Sequence, residues 1–143
     1  MKRIFLILCC SIILMAGQCN KETANCHRYI TIANNSDYEL DMSFSGEYPD
    51  SLSSTGFGTR YPSYNLPIPP YTTGRYEILG AGSCLETRIG YINEYGIFMF
   101  FLFDSQVLKT MPWDTIVKYR MYLKKYDMTV ADLNNSNWTI TYP

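Results

Sequence analysis

The chain contains a single histidine, His27, and that scarcity removes most familiar routes to nucleophilic catalysis. His27 follows Cys26 directly, and adjacent side chains of an extended segment point to opposite faces, so the two do not form a thiol-imidazole pair in mutual reach. No zinc-ligand spacing, phosphate-binding loop or serine nucleophile elbow occurs anywhere. Gly80-Ala81-Gly82 begins like a dinucleotide loop, but Leu85 stands where the third glycine belongs, so the segment reads as a turn. Asp37, Glu39 and Asp41 begin like a calcium loop, yet Tyr38, Leu40 and Met42 intervene and the required glycine is missing. These three acids are expected as exposed carboxylates on one strand face. No metal, cofactor or catalytic residue is nominated.

Basic residues are also scarce. The sequence has 12 Lys and Arg against 13 Asp and Glu, and Lys2 and Arg3 open a segment with the marks of a cleaved export signal. Beyond that segment ten basic residues face thirteen acidic ones, a net charge near −3, and the one basic doublet is Lys124-Lys125. Such a balance argues against a nucleic-acid or anionic-membrane surface, since either would need clustered Lys and Arg.

Long apolar runs are missing too. Ile4 to Met15 is too short to span a bilayer, which needs about 20 apolar residues. Its charged start and its Ala16-Gly17-Gln18-Cys19 end fit a secretory signal over residues 1–18. Met15-Ala16-Gly17 before Cys19 approximates a bacterial lipobox with Gln18 interposed, which makes Cys19 the candidate lipid-bearing residue. Removal of residues 1–18 leaves 125 of the 143, enough for one domain with a hydrophobic core. Of five cysteines, Cys9 and Cys10 leave with the signal. If Cys19 carries lipid, Cys26 and Cys84 remain as an even pair in an oxidising compartment, where a disulfide is expected.

The expected organisation is a tether over residues 19–27 followed by a single β domain over 28–143. Tyr29–Ala33 reads as a strand, and Asn34-Asn35-Ser36-Asp37 as a turn. Tyr38, Leu40, Met42 and Phe44 then alternate with polar residues, predicting a half-buried strand that forms an opening hairpin with the first. Further strands are expected at Arg75–Leu79, Thr87–Ile92, Ile97–Phe103, Tyr119–Tyr126 and Trp138–Tyr142. Ile97–Phe103 has no polar position, so it is expected in the centre of a sheet, covered on both faces. Short helices are expected around Asp114–Lys118 and after Thr129, where Thr129-Val130-Ala131-Asp132 resembles a capping box. The fold class is therefore mainly β: one antiparallel sandwich of about seven strands with one or two short helices near the C-terminus.

All 13 tyrosines lie beyond the signal. On strands a tyrosine is a good β former. In the Pro-rich stretch from Gly46 to Gly74, Tyr48, Tyr61, Tyr64 and Tyr71 combine a restricted backbone with large amphipathic contact groups, a composition suited to recognition as much as to packing. They are the candidate ligand-binding residues.

The lipobox-like start resembles that of small cell-envelope lipoproteins of Bacteroidetes, and so does the tail: Phe103-Asp104, Pro112-Trp113-Asp114, Tyr126-Asp127-Met128-Thr129, Asp132-Leu133 and Asn137 to Pro143. The resemblance covers the signal and about the last third of the chain. It implies an exported protein held by an N-terminal lipid, in the outer membrane and facing the periplasm or the cell surface, without implying an activity. Asp50-Ser51-Leu52 and Asp114-Thr115-Ile116 resemble the acceptor tripeptide of Bacteroidetes O-glycosylation, which nominates Ser51 and Thr115. The expected function is a non-enzymatic, lipid-anchored binding module for an envelope protein or glycan. Two alternatives stand beside it: a periplasmic immunity or inhibitor protein directed against a toxin, and a hydrolase with unidentified carboxylates.

Overall fold

A computed structural model describes residues 22–23, 25–49, 52, 67–78, 84–92 and 94–143. Among them run ten elements in the order β1 (Tyr29–Asn34), β2 (Leu40–Ser45), β3 (Thr73–Glu77), α1 (Leu85–Ile92), β4 (Ile97–Asp104), α2 (Ser105–Thr110), α3 (Trp113–Tyr119), β5 (Lys124–Thr129), α4 (Val130–Asn135) and β6 (Thr139–Tyr142). The protein is mainly β, but the strands form two three-stranded sheets, β3-β1-β6 and β2-β4-β5. The expected seven-strand antiparallel sandwich is corrected in three respects.

First, Thr87–Ile92 belongs to a helix. Leu85 and Ile89, four residues apart, enter the core together, and Glu86 sits in the first turn where the helix dipole favours an acid. Second, β1 and β2 do not form a hairpin. Alternation fixes which face of a strand is apolar but not which strand it pairs with, and the Asn34–Asp37 turn here carries the chain from one sheet to the other. Third, not every pairing is antiparallel: β6 runs parallel to β1, Thr31 opposite Thr139 and Asn34 opposite Tyr142.

The continuous apolar strand behaves as its composition requires. β4 is the centre of its sheet, flanked by β2 and β5, both antiparallel to it. Phe98, Phe100 and Leu102 face the other sheet and share a core with Ile30, Ile32, Leu40, Met42, Tyr76 and Ile140. Met99, Phe101 and Phe103 face the opposite way, into a second core closed by Leu108 of α2 and Ile116 of α3, with Leu52. Among the described residues α2 and α3 thus form a third layer outside the two sheets, α1 and α4 join the core between the sheets, and β4 supplies both interfaces.

This outer layer also overturns the expected wet face of β2. Asp41 and Ser43 stand opposite Phe103 and Phe101, on the face that α2 covers, and Asp41, Ser43 and Ser45 are buried. Asp41 is only 7 % exposed and accepts a hydrogen bond from Ser105 Oγ at 2.6 Å. Alternating polar residues here mark a polar layer under a helix, because α2 begins immediately after β4, with Asp104 capping Gln106 N. Both C-terminal helices form: α3 contains the predicted Asp114–Lys118 stretch, and α4 is opened by the Thr129–Asp132 capping box. The strand expected from Tyr119 begins instead at Lys124, since Arg120 adopts a left-handed conformation that ends α3.

Candidate functional site

The registers of β1 give the first sheet two distinct ends. At the Asn34 end lie the Asn34–Tyr38 turn, the Pro69–Thr72 segment leading into β3, and Tyr142 of β6. At the Tyr29 end lie Glu77, the Cys26–Cys84 disulfide and the start of α1.

The Asn34 end is organised by one side chain. Asn34 is fully buried, and its Oδ1 accepts from Ser36 N at 3.0 Å and Ser36 Oγ at 2.7 Å, the bonds that shape an Asx turn. Its Nδ2 donates to Tyr38 O at 2.7 Å, Pro69 O at 3.0 Å and Ile68 O at 3.3 Å. The turn before β2 and the segment before β3 are thereby fastened to one another, and the paired backbone bonds between Leu40 and Ile68 complete the closure.

That closure holds up a set of phenols. Tyr71 follows Pro69-Pro70 with φ of 56°, the left-handed position that a type II turn ordinarily gives to glycine. It is 68 % exposed, and its hydroxyl donates to Asp37 Oδ1 at 2.6 Å, which pushes the Tyr71 pKa up. Tyr38, which follows Asp37 in the turn, is exposed, and burial together with the neighbouring Tyr38 pushes the Tyr142 pKa up. Tyr126 extends the row across to the second sheet, its hydroxyl donating to Thr141 O at 2.8 Å. Tyr38 and Tyr71 are thus the exposed rings of this end, beside the Asp37 carboxylate, while Tyr126 and Tyr142 are half-buried against the core; exposed phenols and a carboxylate can stack on ring-shaped groups and accept hydrogen bonds from hydroxyl or amide donors.

Sequence reasoning nominated only Tyr71 of this set. Tyr38 was expected as a core residue of β2; the strand begins at Leu40, which leaves Tyr38 in the turn and outside the core. Tyr48 lies beyond the far end of β2, its ring meeting that of Tyr95 edge-on at 5.4 Å and lying under Lys125 Nζ at 5.7 Å. A six-residue strand, roughly 17 Å long, therefore separates Tyr48 from the Tyr71 group. Tyr61 and Tyr64 lie outside the described residues, as do Cys19 and Ser51. Thr115 sits in the first turn of α3, half-buried, its backbone N–H donating to Pro112 O.

The Tyr29 end is densely cross-linked. Cys26 and Cys84 form the expected disulfide, with Cα atoms 4.8 Å apart. Beside it, His27 Nδ1 lies 2.5 Å from Glu86 Oε1, while the imidazole stacks on Trp138 with ring centroids 4.1 Å apart. His27 is therefore engaged by a carboxylate and an indole, and its neighbour Cys26 is consumed by the disulfide. Glu22 accepts from the backbone N–H groups of Arg28 and Tyr29 and pairs with Arg75, and Arg28 pairs with Glu77. The segment preceding β1 is thus sewn to β3 and α1.

Among the described residues no group of three or more His, Cys, Asp and Glu could hold a metal ion, and no helix is long and apolar enough to cross a membrane. Comparison with protein-family models, with curated proteins and with solved structures finds no match.

Proposed function

We propose that the chain is an exported, lipid-anchored binding module of the cell envelope that presents the Asn34 end of its fold to a glycan or protein ligand. The observation that carries this reading is the phenolic surface itself. Tyr38 and Tyr71 are exposed, yet they stand on a frame fixed by a fully buried asparagine and a Tyr71–Asp37 hydrogen bond. Aromatic groups held this way lose little conformational entropy when a ligand arrives. Tyr71 also occupies a backbone conformation that costs a non-glycine residue on the order of 1 kcal/mol or more, one it shares with Arg120, Asn137 and Trp138.

The anchor supports the reading through the disposition of the ends. Glu22, three residues after Cys19, is bound at the Tyr29 end, so a lipid on Cys19 holds that end toward the membrane and leaves the phenolic surface facing away. Two measurements test the proposal. Metabolic labelling with an alkyne fatty acid should mark the wild type and not Cys19→Ser. The Tyr38→Ser/Tyr71→Ser double variant should lose capture of ligand from intact envelopes while melting within a few degrees of wild type. Retained capture by the double variant would refute the binding assignment.

A further inference from the structure

Helix α1 carries an exposed face that its core packing does not explain. Leu85 and Ile89 point into the inter-sheet core, while Thr87, Arg88 and Tyr91 point outward. Tyr91 is 85 % exposed, the highest value among the large hydrophobic residues exposed on the described surface, and Tyr95 follows just beyond the helix at 54 %. A nearly naked phenol and a guanidinium side by side have the composition of a membrane-interface contact, where tyrosine rings sit at headgroup depth and cations meet phosphate.

Covalent reach keeps a lipid on Cys19 close to the end of the fold where α1 begins. Cys19 and Glu22 are three residues apart, at most about 11 Å of extended chain. Glu22 is held by the backbone of Arg28 and Tyr29. Cys26 is bonded to Cys84, the residue immediately before α1, and Leu85 N donates to His27 O at 2.7 Å. The neighbouring charges are spent on one another: Glu22 with Arg75, Arg28 with Glu77, His27 with Glu86. These pairings leave Arg88 and the exposed Glu94, which lies between Tyr91 and Tyr95 in the chain, as the charges beside the contact residues.

We propose that α1 rests on the lipid surface, with Arg88, Tyr91 and Tyr95 as the contact residues, so that acyl chain and helix together fix the orientation of the domain. The proposal rests on acylation at Cys19 and deepens that reading by naming the second point of attachment.

The test uses the full acylated chain in vesicles of phosphatidylethanolamine and phosphatidylglycerol doped with a phospholipid carrying a diazirine near its headgroup. After irradiation, adducts are mapped by residue, and intact mass reads the acyl group separately. Adducts should concentrate at Tyr91 and Tyr95, at least fivefold above Tyr71 and Tyr119, and Tyr91→Ser with Arg88→Ser should reduce the yield on that peptide severalfold while leaving Cys19 acylated. Adducts spread evenly over the surface, or concentrated at Tyr119 or Tyr71, on an acylated chain would overturn the α1 contact and leave the anchor standing. A chain recovered without lipid would overturn both.

Discussion

Replacing Asn34 with alanine should destabilise the domain more than any exposed substitution and should do so through the phenolic end. The magnitude follows from the partners left behind. Ile68 O keeps its bond from Leu40 N, and Pro69 O keeps one from Thr72 Oγ1 at 2.8 Å. Tyr38 O and Ser36 N have Asn34 as the partner identified for them, and Ser36 is buried. Two buried or half-buried backbone groups left unsatisfied cost roughly 1–3 kcal/mol each, so Asn34→Ala should lower stability by about 2–5 kcal/mol. Urea denaturation of wild type and variant at pH 7 measures this, with an unchanged slope confirming the same cooperative unit. Asn34→Asp, which keeps the acceptor for Ser36 but turns a buried carboxylate oxygen toward the carbonyls of Tyr38, Ile68 and Pro69, should cost at least as much as Asn34→Ala at pH 7. A loss below about 0.5 kcal/mol for Asn34→Ala, the range of ordinary surface changes, would refute the view that this side chain closes the site.

Three further outcomes follow from the same geometry. Burial raises the Asp41 pKa above its ordinary 3.8, so its charged form is disfavoured in the fold. The penalty is absent below pH 3.8 and reaches its full value above the raised pKa, so Asp41→Asn should raise the melting temperature at pH 7 and the gain should vanish below pH 3.8; a lower melting temperature at pH 7 would contradict this. The Cys26–Cys84 bridge spans 58 residues, and its removal as Cys26→Ser/Cys84→Ser should cost about 4 kcal/mol in urea denaturation, against less than 1 kcal/mol if the bond does not constrain the unfolded chain. Thr129→Ala removes the hydroxyl that accepts from Asp132 N in the α4 capping box and should cost about 0.5–2 kcal/mol, read from the same curves.

Features that depend on local chemistry were legible in the sequence, and features that depend on pairing were not. Ile97–Phe103 announces a doubly covered central strand because every position is apolar, and Thr129–Asp132 announces a helix start because the capping pattern is complete within four residues. The alternation around β2 was read as a solvated face because sequence distinguishes polar from apolar but not water from a buried Ser105 hydroxyl. The parallel insertion of β6 beside β1 joins residues more than a hundred positions apart, and the alternation of Trp138, Ile140 and Tyr142 fits either direction equally well. At the candidate site, Tyr71 was visible through its Pro-rich context. Asn34 was visible only as one of four turn residues, since its five hydrogen bonds are set by where Pro69 and Tyr38 come to rest.

If ligand meets the protein at the phenolic end, as proposed, a photoreactive phenylalanine analogue placed there in living cells will capture it. Incorporated in place of Tyr71 and, separately, in place of the equally exposed Tyr119 on the helical layer, the probe reports which surface is occupied. A discrete covalent adduct is expected from position 71, weakened by Tyr38→Ser, and none from position 119. An adduct from position 119 with none from position 71 would contradict the proposal.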